Sequence, residues 1–97
     1  MTELHSPYAP ILARLAGVRR REPYVGEVEE AGRLIAEAVE LPDSEQSARL
    51  AIKAEHAVEQ AAARAASAGL RDAATLREIG HLIATARVVR RGPAPPG

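Results

Sequence analysis

The chain has 97 residues, with thirteen basic and thirteen acidic side chains, so its formal net charge is zero. This balance gives no overall electrostatic bias toward nucleic acid or an anionic membrane. The absence of cysteine excludes disulfides, thiol catalysis and cysteine-ligated zinc or iron–sulfur sites. The sequence has no Trp or Phe and only two tyrosines, which largely excludes aromatic cages and base-stacking platforms. No apolar stretch approaches the roughly 20 residues that span a bilayer, and the N-terminus lacks a signal-peptide pattern. We expect a soluble, cytoplasmic protein.

Proline and glycine divide the chain into four predicted helices, of which the first two lie in the N-terminal half. The first begins near Ser6, or only at Pro10, and ends before Pro23, because the residue before a proline is driven out of the helical region. The second covers about residues 25–40 and stops at Pro42.

The third and fourth helices follow in the C-terminal half. Asp43 or Ser44 is expected to cap the third helix, which runs to about Ala68. Gly69 is placed to end it in a left-handed conformation. The fourth helix covers residues 72–90.

Apolar side chains recur at helical spacing along three of these segments, which predicts one buried stripe on each helix. The stripes are Ile11, Leu12, Leu15 and Val18 on the first helix, Val28, Ala31, Leu34, Ile35, Ala38 and Leu41 on the second, and Leu76, Ile79, Leu82, Ile83, Ala86 and Val89 on the fourth. Short connections between helices favour antiparallel neighbours. The sequence therefore predicts an all-α, antiparallel four-helix bundle with a short first helix. A three-helix stack with an N-terminal flap is the alternative.

The predicted domain organisation is simple. Residues 1–91 form a single helical domain, and residues 92–97 form a disordered tail because they are almost entirely proline and glycine.

The third helix carries a face of small side chains at alternating three- and four-residue spacings, the pattern of a heptad seam. We call it the alanine face: Ala51, Ala54, Val58, Ala61, Ala65 and Ala68. Methyl groups at such positions require a second helix to approach more closely than the usual roughly 8–10 Å. The partner is then a helix of the same chain, a second copy or another protein. The remaining interpretation is that the alanines reflect helix propensity alone. The apolar stripes make a thin core, which favours association between copies.

One motif has the spacing of a metal ligand pair. Glu78 and His81 form a Glu-x-x-His sequence, which carboxylate-bridged di-metal bundles use, and His56 lies on the preceding helix. Helical geometry at about 100° per residue turns both histidines away from the apolar stripes. We therefore expect solvated histidines, with no metal and no cofactor.

Charge is unevenly distributed along the chain. The second helix is acidic, and basic clusters flank it in sequence. These clusters form a candidate basic patch: Arg19, Arg20, Arg21, Arg87, Arg90 and Arg91. The patch would suit an acidic partner or nucleic acid, whereas the interpretation without a partner is charge complementarity inside the bundle.

The sequence carries no recognisable catalytic set, so an enzyme is the less favoured class. The leading hypothesis is a small protein–protein interaction module that forms a homodimer through the alanine face. The first alternative is a nucleic-acid-associated regulatory protein that uses the arginine clusters. The second alternative is a helical-bundle enzyme or metal carrier whose site the sequence hides.

Overall fold

The structure is a computed structural model that describes residues 6–42 and 45–91. It contains four α-helices, which confirms the predicted all-α class. They are α1 (Ala9–Ala16), α2 (Val25–Glu40), α3 (Glu45–Ser67) and α4 (Asp72–Arg91). The expected cap residues Asp43 and Ser44 and the tail 92–97 lie outside the described residues.

The start of α1 lies close to the later of the two predicted positions. The hydroxyl of Ser6 accepts a hydrogen bond from the Tyr8 backbone N–H at 3.1 Å, and the Ser6 carbonyl accepts one from Ala9 at 3.1 Å. Ser6 therefore closes a turn ahead of the helix. Pro10 then occupies the first turn, where its missing N–H costs no hydrogen bond.

The end of α3 has the geometry predicted from Gly69. This glycine has φ 72°, a conformation that costs other L-residues roughly 1–2 kcal/mol. Its N–H bonds to the Ala66 carbonyl at 3.0 Å, and the N–H of Leu70 bonds to the Ala65 carbonyl at 2.9 Å. This pair of bonds is a Schellman motif, which stops the helix and reverses the chain.

The helices form an antiparallel bundle in which consecutive helices are neighbours. α3 packs along its length against both α2 and α4, while α1 packs on α2 and, less extensively, on α4. In the described part of the chain, α1 does not approach α3, and α2 does not approach α4. α1 and α3 therefore occupy opposite corners of the bundle, and α1 covers only part of the face that α2 and α4 present.

The core combines large side chains from α1, α2 and α4 with small side chains from α3. Leu15, Ile35, Leu76, Ile79 and Ile83 are fully buried on α1, α2 and α4, whereas the buried positions of α3 are alanine, apart from one valine and one serine. The two tyrosines are also part of this core. None of the described helices is long and apolar enough to cross a membrane.

Candidate interaction surfaces

The alanine face lies inside the bundle. Ala51, Ala54, Val58, Ala61 and Ala65 are each 0% exposed, because α2 and α4 of the same chain pack on α3. Their small side chains allow the neighbouring helices to approach closely. In this fold these five residues are not a surface that a second copy could reach.

Ala68, the sixth predicted member of the alanine face, is exposed. The Schellman motif explains this difference, because Ala68 immediately precedes Gly69, where the chain turns away from the bundle. The packed face therefore ends at Ala65, one turn earlier than the sequence spacing indicates.

Two members of the predicted basic patch form contacts within the chain that stabilise the fold. Arg20 donates hydrogen bonds from Nη1 to the carbonyls of Leu15, at 2.9 Å, and Val18, at 2.8 Å. Leu15 lies in α1 and Val18 follows it, so these bonds anchor the loop to the end of that helix. Arg87 forms a partly buried ion pair with Glu55 of α3 at 2.5 Å.

The arginine clusters lie at opposite ends of α4. Arg21 adjoins Tyr24, whose hydroxyl contacts Asp72 at the first residue of α4. Arg87 is fifteen residues farther along that helix, which is about 22 Å at 1.5 Å per residue. The two clusters therefore do not form one surface. The side chains of Arg90 and Arg91 lie outside the described residues.

The Glu-x-x-His motif is not arranged as a metal site. His81 and His56 are both exposed, as their helical positions predict, and Glu78 forms an ion pair with Arg14 at 2.9 Å. Among the described residues, no three His, Asp or Glu side chains converge in a way that could hold a metal ion.

An open groove of about 440 Å³ lies between α1 and α4. Its lining residues come from the start of α1 and from one face of α4. They are Pro7, Pro10, Ile11 and Arg14 on the α1 side, and Leu82, Thr85 and Ala86 on α4. This volume falls within the roughly 300–1,000 Å³ of typical ligand clefts.

The groove lies on the side of α1 that is less closely packed, because α1 contacts α2 more extensively than α4. Leu12 and Leu15 lie near Gly32 of α2, whereas Ile11 lines the groove beside α4. On the α4 side, Leu82 and Ala86 are consequently only half-buried. They were predicted as core residues, and the structure leaves them partly open to the groove.

The chemistry of the groove is apolar with one charged lining residue. Two prolines, an isoleucine, a leucine and an alanine form its walls, and Thr85 contributes a hydroxyl. Arg14 is the charged residue, and its ion pair with Glu78 is about half exposed on both sides. An exposed pair of this kind is weak, at about 0–1 kcal/mol, so Arg14 can exchange Glu78 for another carboxylate.

A second polar contact lies at the end of the bundle where α2 and α4 begin. The Tyr24 hydroxyl donates a hydrogen bond to Asp72 Oδ2, and Tyr24 itself is completely buried. Burial, followed by the hydrogen bond and the negative charge of Asp72, raises the pKa of Tyr24 to about 12. The phenol therefore stays protonated at neutral pH and acts as a donor that joins two helices.

Comparison of the chain with protein-family models, with curated proteins and with solved structures finds no match.

The sequence did not indicate the groove, because it depends on how α1 sits relative to α4. The available signal was the cluster of Pro7 and Pro10 at the start of α1. Pro7 lies in the turn before the helix and Pro10 in its first turn, where a proline ring takes the place of a hydrogen-bonding N–H. A short helix opposite the long α3 leaves part of the bundle uncovered.

Proposed function

We propose that this protein is an interaction module that binds a short apolar segment of a partner protein in the groove between α1 and α4. The observation that supports the proposal is the groove itself, an apolar depression at a helix–helix junction with half-buried Leu82 and Ala86 in its wall. Apolar segments docking between helices are a recurring mode of peptide recognition.

The shape and charge of the groove favour a peptide segment. The groove is open to solvent and lies between two helices, so it suits a few side chains of a bound peptide. Arg14, at one end of the lining, supplies a guanidinium that matches a carboxylate. The preferred partner segment therefore combines aliphatic residues with an aspartate or glutamate.

Association between copies, which the sequence predicts through the alanine face, requires a different surface in this fold. Five residues of that face are covered by α2 and α4 of the same chain. A homodimer would instead place part of a second copy in the groove. Ile52 of α3 is the exposed large apolar residue among the described positions. It is a candidate for the side chain that one copy would place in the groove of the other.

Selection from a displayed library of random peptides tests the proposal. The wild type should enrich peptides that contain aliphatic and acidic residues. Ala86→Arg places a long charged side chain in the groove wall and should abolish their binding. Ala74→Arg is the matched control, because Ala74 is exposed on the same helix and does not line the groove.

Circular dichroism establishes that both variants keep their helices before binding is compared. Failure to enrich any peptide over an unrelated helical protein, or equal binding by Ala86→Arg, would reject the groove as a docking site. Sedimentation velocity addresses the homodimer separately. A dimer that Ala86→Arg dissociates and Ala74→Arg preserves would identify a second copy as the occupant.

A further inference from the structure

One end of the bundle carries a set of arginines that the fold assembles from two separate loops. Arg19 and Arg21 lie between α1 and α2, and Arg71 lies between α3 and α4. The hydrogen bond from Tyr24 to Asp72 brings these loops together, since Arg71 directly precedes Asp72 and the Tyr24 N–H bonds to the Arg21 carbonyl at 3.2 Å. We call Arg19, Arg21 and Arg71 the basic end.

The loop that carries Arg19 and Arg21 ends beside the Tyr24–Asp72 contact, since the Tyr24 N–H bonds to the Arg21 carbonyl. The positive charges of Arg21 and Arg19 both act to lower the pKa of Tyr24, against the larger effects of burial and of Asp72 that raise it. Electrostatic effects of this kind require proximity. This effect agrees with the position of the loop, which meets the start of α4 at the Tyr24–Asp72 contact.

The positive charge of the basic end is not neutralised by ion pairs. Elsewhere, five helix arginines pair with glutamates, namely Arg14, Arg33, Arg49, Arg64 and Arg87, whereas the exposed Arg77 of α4 has no ion pair among the described residues. Within residues 6–42 and 45–91, no carboxylate lies within ion-pairing distance of Arg19, Arg21 or Arg71. Glu22 and Asp72 are the nearby acids in sequence, and Asp72 already accepts the Tyr24 hydrogen bond.

The loop that carries Arg19 and Arg21 is held in place from both sides. Arg20, between them, bonds to two carbonyls at the end of α1, and Tyr24 bonds to the Arg21 carbonyl. The backbone that presents the two arginines is therefore ordered before any ligand arrives. A smaller loss of conformational entropy on binding follows.

The surroundings favour phosphate over an acidic protein surface. Protein interfaces rely on buried aromatic and apolar anchors, and both tyrosines of this chain are inside the core. Arg19, Arg21 and Arg71 are exposed, and the guanidinium fork matches phosphate oxygens. Binding to a nucleic-acid backbone needs only such contacts. The buried tyrosines leave no described aromatic ring for stacking bases, which disfavours single strands.

We propose that the basic end binds the phosphate backbone of duplex nucleic acid through Arg19, Arg21 and Arg71. Three phosphate contacts make this a weak, sequence-independent interaction, with Kd in the range of about 10⁻⁴–10⁻⁶ M. This surface is separate from the groove and does not depend on the function proposed for it.

Fluorescence anisotropy with a labelled 20-base-pair DNA duplex tests this proposal. The wild type should bind with a slope of log K against log salt of about −2.7, from about −0.9 per phosphate contact. Each of Arg19→Ala, Arg21→Ala and Arg71→Ala should reduce the steepness by about 0.9. Arg49→Ala removes the same charge from an exposed position near the start of α3 and should leave the slope unchanged.

The outcomes separate the alternatives. Absence of binding at 20 mM salt, or an equal effect of Arg49→Ala, would overturn the proposal. A parallel titration uses labelled poly-glutamate. If the three arginines bind this polymer and not the duplex, the partner is an acidic protein segment and the nucleic-acid assignment is wrong. Thermal melting of each variant checks that the exposed substitutions leave the fold intact.

Discussion

The Tyr24 hydroxyl donates a hydrogen bond to the Asp72 carboxylate and so connects the first turns of α2 and α4, two helices that otherwise do not approach each other in the described part of the chain. Tyr24 precedes α2 directly, and Asp72 is the first residue of α4. The contact fixes the end of the bundle at which both helices begin. It is also the point where the two loops of the basic end meet.

Replacement of each tyrosine by phenylalanine should change stability differently, with a loss at Tyr24 and no loss at Tyr8. Tyr24→Phe removes a hydrogen bond to a carboxylate and should lower the free energy of unfolding by about 1.5–3 kcal/mol. Tyr8 is also buried, but its hydroxyl has no hydrogen-bond partner in the described structure. Tyr8→Phe should therefore be neutral or raise stability, since an unpaired buried hydroxyl costs about 1–3 kcal/mol.

Urea unfolding of the wild type and both variants measures this difference. The two substitutions remove the same atom from equally buried rings, so each serves as the control for the other. Equal destabilisation by both would show that the Asp72 contact contributes nothing specific.

The Tyr24 contact also predicts a loss of stability in alkali. The pKa of Tyr24 is raised in the folded chain from the ordinary value of 10.0 to about 12, so folding favours the protonated phenol. Its contribution is fully present below pH 10 and is lost as the pH rises toward 12. The free energy of unfolding should fall more steeply between these values for the wild type than for Tyr24→Phe. If the free energy of unfolding, measured with urea, falls equally with pH for both proteins across that range, the raised pKa of Tyr24 is contradicted.

The packed alanine face predicts a strong dependence on side-chain size. Ala61 is 0% exposed within the bundle, so Ala61→Leu forces extra atoms between helices and should cost about 1–3 kcal/mol. Ala63→Leu, at an exposed position of the same helix, should be nearly neutral. Thermal melting and sedimentation velocity should show lower stability for Ala61→Leu with an unchanged mass in solution. Equal melting of the two variants would mean that the face is not packed.

Two glycines should respond oppositely to alanine. Gly69 has a positive φ, so Gly69→Ala strains the end of α3 and should cost about 1–2 kcal/mol. Gly32 lies inside α2, and a Cβ at that position would meet no atom within 4 Å. Gly32→Ala should therefore stabilise the helix by about 1 kcal/mol through propensity. Chemical denaturation that ranks the two variants in the reverse order would contradict both assignments.

Local signals predicted the second, third and fourth helices of this chain well, whereas α1 ends at Ala16, well before the predicted limit at Pro23, because Gly17 forms its C-cap. Pro42 and Gly69 act through the backbone of adjacent residues, so the ends of α2 and α3 are close to the predicted positions. The stripe on α2 is buried at all its positions except Leu41, which lies at the C-terminal cap of that helix.

The packing of the helices against one another could be predicted less well from the sequence. The spacing of Ala61 and its neighbours indicated close packing but left the partner open, because the same heptad pattern serves contacts within and between chains. Tyr8 and Tyr24 were not predicted as core residues, since neither lies within a helical stripe. Their burial depends on segments that precede α1 and α2 and fold against the bundle.

The position of α1 has a consequence for the order of folding. The α2–α3 and α3–α4 pairs are hairpins of consecutive helices, whose local contacts form rapidly. α1 packs only on α2 and α4 among the described elements, so its docking surface is complete once both hairpins have closed on α3. Because α1 is the shortest helix and packs least extensively, we expect it to join the bundle last and to detach first in the native state. An occupant of the groove would then slow the opening of the wall that α1 supplies.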